Sequence, residues 1–184
     1  MKLFENKPKD TFDGYGRLYH DNGVVMYEGE ITQGKKHGFG REYDEYEVLV
    51  HEGNWVNNEP KGPFKYYTGS KGNEYVVYDL IIEDPDKAKG IMFELSGSGR
   101  KTYEGEIYKA EPHGQGVKYL SGEIQYEGQF INGRFHGNGK SYWKGLLAYD
   151  GEWQAGEKHG FGREYTNNQL TFEGKWQNGK KIIN

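Results

Sequence analysis

The chain contains no cysteine. That absence removes disulfides, thiolate metal sites and a cysteine nucleophile, and it fits a reducing compartment. Aliphatic side chains are scarce as well. Only 34% of the 184 residues are hydrophobic, where a conventional globule would use more Leu, Ile and Val. No run approaches the length of a membrane-spanning helix. The opening MKLFENKPKD lacks the apolar stretch of a secretory leader. A cytoplasmic protein is expected, with membrane association left open as surface contact only. Positive charge is not in excess either. The net charge is −4, and a generally acidic surface repels nucleic acid, so no nucleic-acid partner is expected.

What the chain does hold is glycine and aromatic rings: 29 Gly, 16 Tyr, 9 Phe and 4 Trp. Disordered chains are poor in aromatics, so disorder is excluded. Glycine with aromatics and few aliphatics points to strands and tight turns. One string, HGFGREY, occurs twice, at 37–43 and 159–165. Either a site is duplicated or the string belongs to a repeat.

Spacing favours the repeat. Taking YEGE at 27 and 103 as the anchor, related strings begin at 51, 126, 149 and 172, with weaker copies at Leu3 and Val77. Counting from each start, position +2 is Gly at 29, 53, 105, 128, 151 and 174. Position +4 is large and apolar: Ile31, Trp55, Ile107, Phe130, Trp153 and Trp176. Further glycines fall at +11 and +13, and Tyr at +16. HGFGREY is the second half of one repeat and marks architecture. In the copy at 77, Ile81 takes +4, Asp79 replaces the first glycine and Ala88 replaces the +11 glycine, so distortion is expected over 77–102.

Each repeat reads as a β-hairpin. Residues +0, +2 and +4 share one face of a strand and the acids at +1 and +3 share the other. A polar turn follows near +7, and the second strand carries two glycines over which large rings would lie. Eight registers make about fifteen strands, a sheet of roughly 70 Å at about 4.8 Å per strand.

The strings YDGEWQAGEKHGFGREYTNNQL, YEGQFINGRFHGNGKSY and YEGEITQGKKHGFGREY resemble the MORN (membrane occupation and recognition nexus) repeat, of about 23 residues. The resemblance extends over almost the whole chain, read as a single domain over 1–184. It implies an all-β fold, an elongated, curved single antiparallel sheet of successive hairpins. It also implies an adaptor or scaffold, in some members near membranes.

Candidate chemistry is thin. His37, His113, His136 and His159 share position +10, but equivalent positions lie two strands, about 9–10 Å, apart. That is too far for one metal ion, and no metal or cofactor is expected. The +1 acids Glu28, Glu52, Glu104, Glu127, Asp150 and Glu173 form a row. A glycosidase needs two unequal carboxylates, whereas a ladder gives equal ones. Pairing with Lys or Arg accounts for the row better, and a carboxylate-based hydrolase is the remote alternative. SGSGRKT at 96–102 departs from the phosphate-loop pattern, because Arg100 separates Gly99 from Lys101.

The expected function is therefore non-enzymatic: a scaffold that binds a protein or peptide partner. The rings Tyr27, Trp55, Tyr103, Tyr126, Tyr149, Trp153, Phe172 and Trp176 would line one face. A single sheet cannot bury both faces alone, so some of these rings are expected to stay accessible in a groove. The alternative partner is anionic lipid or phosphoinositide, met by Lys35, Lys36, Arg134, Lys158, Lys180 and Lys181 near turns. A weak homodimer through the C-terminal strand edge is also expected, because bare edges pair.

Overall fold

The computed structural model describes residues 13–94 and 98–183. The repeat start at Leu3 and the residues Ser96 and Gly97 of the glycine-serine stretch lie outside them. The described residues contain fifteen strands and no helix. The strands form two compact bodies that divide between Pro85 and Asp86, inside the irregular fourth repeat.

The first body holds β1 (Gly14–Tyr19), β2 (Val25–Thr32), β3 (Lys35–Tyr43), β4 (Leu49–Val56), β5 (Glu59–Ser70) and β6 (Asn73–Asp84). The second holds β7 (Lys87–Phe93), β8 (Lys101–Tyr108), β9 (Glu111–Leu120), β10 (Glu123–Ile131) and β11 (Arg134–Trp143). It continues with β12 (Leu146–Gln154), β13 (Glu157–Thr166), β14 (Gln169–Gln177) and the short β15 (Lys180–Lys181). Within each body every strand pairs antiparallel with its sequence neighbour, as successive hairpins require.

The turns explain why the strands stop where they do. Asn132 and Gly133 have φ of 49° and 72°, and Asn178 and Gly179 have 49° and 74°. Two successive left-handed residues are the type I′ turn, whose twist matches a hairpin. Several of the turns also dock on the repeat before them. The N–H of Gly133 donates to the Pro112 carbonyl at 2.9 Å. Gly156 donates to Phe135 and Gly179 to Lys158 at the same distance. In the first body Asn58 donates to Lys36 at 3.0 Å.

The glycines of +2 and +13 meet across every pair of strands from β7 to β14 in the second body. Gly90, Gly105, Gly116, Gly128, Gly139, Gly151, Gly162 and Gly174 form one continuous row. The +0 tyrosines lie over this row. A methyl group added to Gly116, Gly139 or Gly162 would overlap Tyr103, Tyr126 or Tyr149 respectively. The glycines are there because the rings need the backbone itself as their floor.

Position +3 does work that strand periodicity hides. The ladder slips by a bulge after the +2 glycine, between Gly128 and Gln129 and at the matching sites. The +11 glycine turns left-handed there, φ 52° at Gly137 and 57° at Gly160. The freed N–H at +12 is then capped by the +3 side chain. Phe161 donates to Glu152 at 2.7 Å, Asn138 to Gln129 at 3.1 Å and Phe39 to Glu30 at 3.2 Å.

The fourth repeat is read one residue later than counting suggests. Leu80, not Asp79, pairs with Phe64 in the glycine row, and Asp79 pairs with Lys65. Ile82 is buried and Ile81 is 52% exposed. The bulge between Tyr66 and Tyr67 has counterparts at Glu42/Tyr43 and Ser141/Tyr142, so the offset comes from the longer hairpin, which pairs out to Ser70 and Asn73.

Candidate functional site

Alternation gives each body a ring face and a charge face. The ring face is built from +0 and +4. The Tyr126 hydroxyl donates to the Gln129 carbonyl at 3.0 Å, closing the bulge, and Tyr27, Tyr103 and Tyr149 do the same to Glu30, Glu106 and Glu152. Rings of the next repeat then stand edge-on. Tyr126 meets Trp153 at 5.4 Å and 90°, Tyr149 meets Trp176 at 5.4 Å and 89°, and Tyr27 meets Trp55 at 5.9 Å and 90°. Such edge-to-face pairs add to simple burial. Indole N–H groups of Trp153 and Trp176 donate to the Gly139 and Gly162 carbonyls.

Position +9 closes the lid. Phe135 stacks on Tyr126 at 3.9 Å. Lys158 lies over Tyr149 and Trp176 at 4.9 and 4.5 Å, Lys36 over Trp55 at 4.4 Å and Lys181 over Phe172 at 5.0 Å. Carboxylates at +15 anchor these lysines. Glu164 takes Lys158 at 2.9 Å and Lys181 at 2.6 Å, while Glu42 takes Lys36 and the ring of His51. Burial pushes the Glu42 carboxyl up, but hydrogen bonds from His51 and Lys36 outweigh it and hold it below the usual range. Glu164 is likewise lowered: burial raises it, and Lys181 and Lys158 more than compensate.

This corrects the expectation of an accessible ring groove. Tyr27, Tyr126 and Tyr149 are 0% exposed, and Tyr103, Trp55, Trp153 and Trp176 are also buried. Phe172 alone of the eight is half-buried. The following repeat's +4 ring covers each tyrosine, and Lys36, Phe135 and Lys158 at +9 add to the cover over Tyr27, Tyr126 and Tyr149. The tyrosine hydroxyls feel this environment. Burial pushes Tyr126 and Tyr149 up to about 12.

The six basic residues proposed for lipid headgroups separate into two sets. Lys36, Lys158 and Lys181 are engaged on rings and carboxylates as just described. Lys35, Arg134 and Lys180 are exposed at +8, in a row that in the second body alternates with the acids Glu111 and Glu157. The +10 histidines are scattered along the sheet. His136 Nδ1 accepts from Ala155 N–H at 3.5 Å, and the Nδ1 atoms of His37, His113 and His159 are buried without a hydrogen-bond partner.

On the charge face the row of +1 acids was legible with Lys or Arg as its partners, but the exposed surface they build was not. The +1 acids meet cations at +14 of adjacent strands in a cross-strand ladder. In the first body its register runs Arg17, Glu28, Arg41, Glu52, Lys65, Asp79. Arg17 pairs with Glu28 at 2.7 Å, Arg41 with Glu52 at 2.6 Å and Lys65 with Asp79 at 3.9 Å. In the second body it runs Ile91, Glu104, Val117, Glu127, Lys140, Asp150, Arg163, Glu173. Arg163 pairs with Glu173 at 3.1 Å. Tyrosines at +16 add to it: the Tyr142 hydroxyl donates to Glu127 and Tyr67 to Glu52. Beside the ladder lie exposed rings, Tyr15, Phe39 and Phe161. The recurrence of Arg and Phe in HGFGREY was the signal that could have found this face.

The ladder opens in its middle. A shallow groove there is lined by the side chains of Gln115, Val117, Glu127, Asn138, Lys140 and Asp150, over the backbone of Gly116, Gly128 and Gly139. Among the described residues Glu127, Lys140 and Asp150 form no ion pair, unlike their counterparts in the first body.

A sheet of stitched hairpins with one sealed face and one open, charged face defines a β-repeat protein. The family model of the MORN repeat matches residues 27–45, 51–63, 103–121, 126–145 and 149–171, together just over half of the chain. The chain belongs to the MORN repeat family. No curated protein matches it. Among the described residues no helix is long and apolar enough to cross a membrane.

Proposed function

We propose that the chain is a non-enzymatic scaffold whose charge face binds a protein or peptide partner. One observation carries this reading: the ring face is sealed by its own +9 lid, while the charge face presents a groove at Val117 and unpaired charges at Glu127, Lys140 and Asp150. Family membership supports a binding role in general terms. Among the described residues every +1 carboxylate except Asp150 is engaged with Arg, Lys or Tyr, which suits a binding surface better than the free acid and base that hydrolysis needs. Headgroup binding is the less favoured reading, because half of the basic residues offered for it are occupied on the ring face.

A random-peptide display library panned against the full chain tests the reading. Peptides should enrich, and their binding should fall when Lys140→Glu and Phe161→Ser are introduced together on the charge face, with the melting temperature unchanged. Failure of any peptide to enrich, while vesicles of phosphatidylserine do bind, would replace the partner with lipid. Binding that survives the charge-face changes and is lost on Phe135→Ser would move the site to the ring face.

A further inference from the structure

The charge ladder contains one place where its own rule is broken. Wherever two carboxylates stand two strands apart, the strand between them supplies a cation. Arg41 stands between Glu28 and Glu52, and Lys65 between Glu52 and Asp79. Lys140 stands between Glu127 and Asp150, and Arg163 between Asp150 and Glu173. Between Glu104 and Glu127 the strand supplies Val117. The strand on the other side of Glu104 supplies Ile91, again apolar.

We propose that this gap is a subsite for an arginine or lysine side chain of the partner, so that the partner completes the ladder in trans. The inference rests on the reading of the charge face as the binding face. Val117 provides an apolar surface for the aliphatic stem, which long cationic side chains lay along such surfaces while the head stays polar. Glu127 provides the head contact. Its one hydrogen bond among the described residues comes from the Tyr142 hydroxyl, which leaves acceptor capacity on a carboxylate. Glu104 closes the far side. It is held by Lys101 at 2.9 Å and by the Tyr119 hydroxyl at 3.4 Å, so Lys101 offsets part of its charge and Glu127 is the stronger of the two walls. Arginine suits the gap better than lysine, because its planar fork can engage two carboxylates on opposite sides. Arg41 and Arg163 already sit between carboxylates in the equivalent register.

The geometry makes the gap fillable from within. Val117→Arg places a cation where five other strands carry one, so the variant should fold and melt at or above the wild-type temperature. The random-peptide library provides the probe. Peptides enriched on the full chain should share one basic position, and changing that position to citrulline or norleucine should weaken binding roughly thirtyfold, the scale of one charge-assisted hydrogen-bonded contact. Val117→Arg should weaken the same peptides by a similar factor. Glu127→Gln, a change of one atom at a half-buried site, should do so without any change in packing. Three results overturn the subsite. The first is enrichment of peptides without a shared basic residue. The second is binding to Val117→Arg and Glu127→Gln as tight as to wild type. The third is a loss of affinity only on Lys140→Glu, which keeps the charge face as the docking surface and removes the gap from it. No enrichment at all overturns both the subsite and the scaffold reading.

Discussion

Phe64 covers Gly53 from the opposite strand, in the same way that Tyr126 covers Gly139 within its own hairpin. In the third repeat the +0 position is His51, too small to reach across, and the +13 position is Phe64 in place of glycine. The ring has changed strands while the space it fills is kept. Phe64 is 1% exposed and meets Trp55 at 4.9 Å, so the core continues through the exchange.

The exchange can be transplanted. Gly139→Phe alone collides with Tyr126, and Tyr126→His alone opens a cavity, so each should cost about 3 kcal/mol or more. The double variant reproduces the His51 and Phe64 pair and should lose clearly less than the sum of the two. A double-mutant cycle by urea denaturation reads the coupling. Strict additivity would mean that the ring and the glycine do not share one space.

The bulge caps should be separable from the rings. Glu152→Ala leaves the Phe161 N–H without its 2.7 Å acceptor and should destabilise by about 1–2 kcal/mol. Glu152→Gln keeps an acceptor, as Gln129 does in the preceding repeat, and should lose little. Amide exchange at Phe161 should accelerate in the alanine variant and not in the glutamine one. Equal exchange in both would deny the cap.

Acid stability should depend on Glu42 and Glu164. Both carboxyls are lowered in the folded state, so their contribution is present above the unfolded value, about 4.3, and is lost as pH falls through the folded value. The melting temperature should therefore fall steeply below about pH 4.3. The fall should be shallower in the Glu42→Gln and Glu164→Gln double variant. An unchanged slope would show that these lysine and histidine contacts carry no linkage.

Alkaline stability has the opposite sign. Burial raises Tyr126 and Tyr149 to about 12, so the folded state keeps protons that the unfolded chain releases near 10. Stability should fall between pH 10 and 12. A tyrosinate absorbance titration should show the exposed tyrosines ionising first and these rings only with unfolding. A single early step at constant fold would contradict their burial.

Much of this was legible in the sequence. Tyr126, Gly128, Phe130, Gly137, Gly139 and Tyr142 kept their spacing, and spacing is what hairpins with fixed turns transmit. The bulges were not legible, because an extra residue leaves no mark on a count. Nor was the longer hairpin that pairs out to Ser70 and Asn73, which puts Asp79 on the charge ladder and Leu80 in the glycine row. The covering of the rings was hidden for another reason. Lys36, Phe135 and Lys158 share a position and a role without sharing a chemistry, since a lysine stem and a phenyl ring lie equally well over an aromatic face. The charge ladder was half visible as a row of acids. Its cations sat on adjacent strands, where only the register could pair them.

The N–H that Gly133, Gly156 and Gly179 each hand back to the preceding repeat has a consequence for how such a chain can change length. In the copies starting at 126 and 149 donor and acceptor both belong to one copy, one facing forward and one facing back. A tandem duplication would therefore arrive with its joints already complementary on both sides, and the deletion of one whole copy would bring two matching joints together. Gain or loss of a fraction of a copy would strand a donor or an acceptor at the seam. Growth by whole copies is the mode of change that this joint tolerates, and the number of repeats can drift while the joint itself stays fixed.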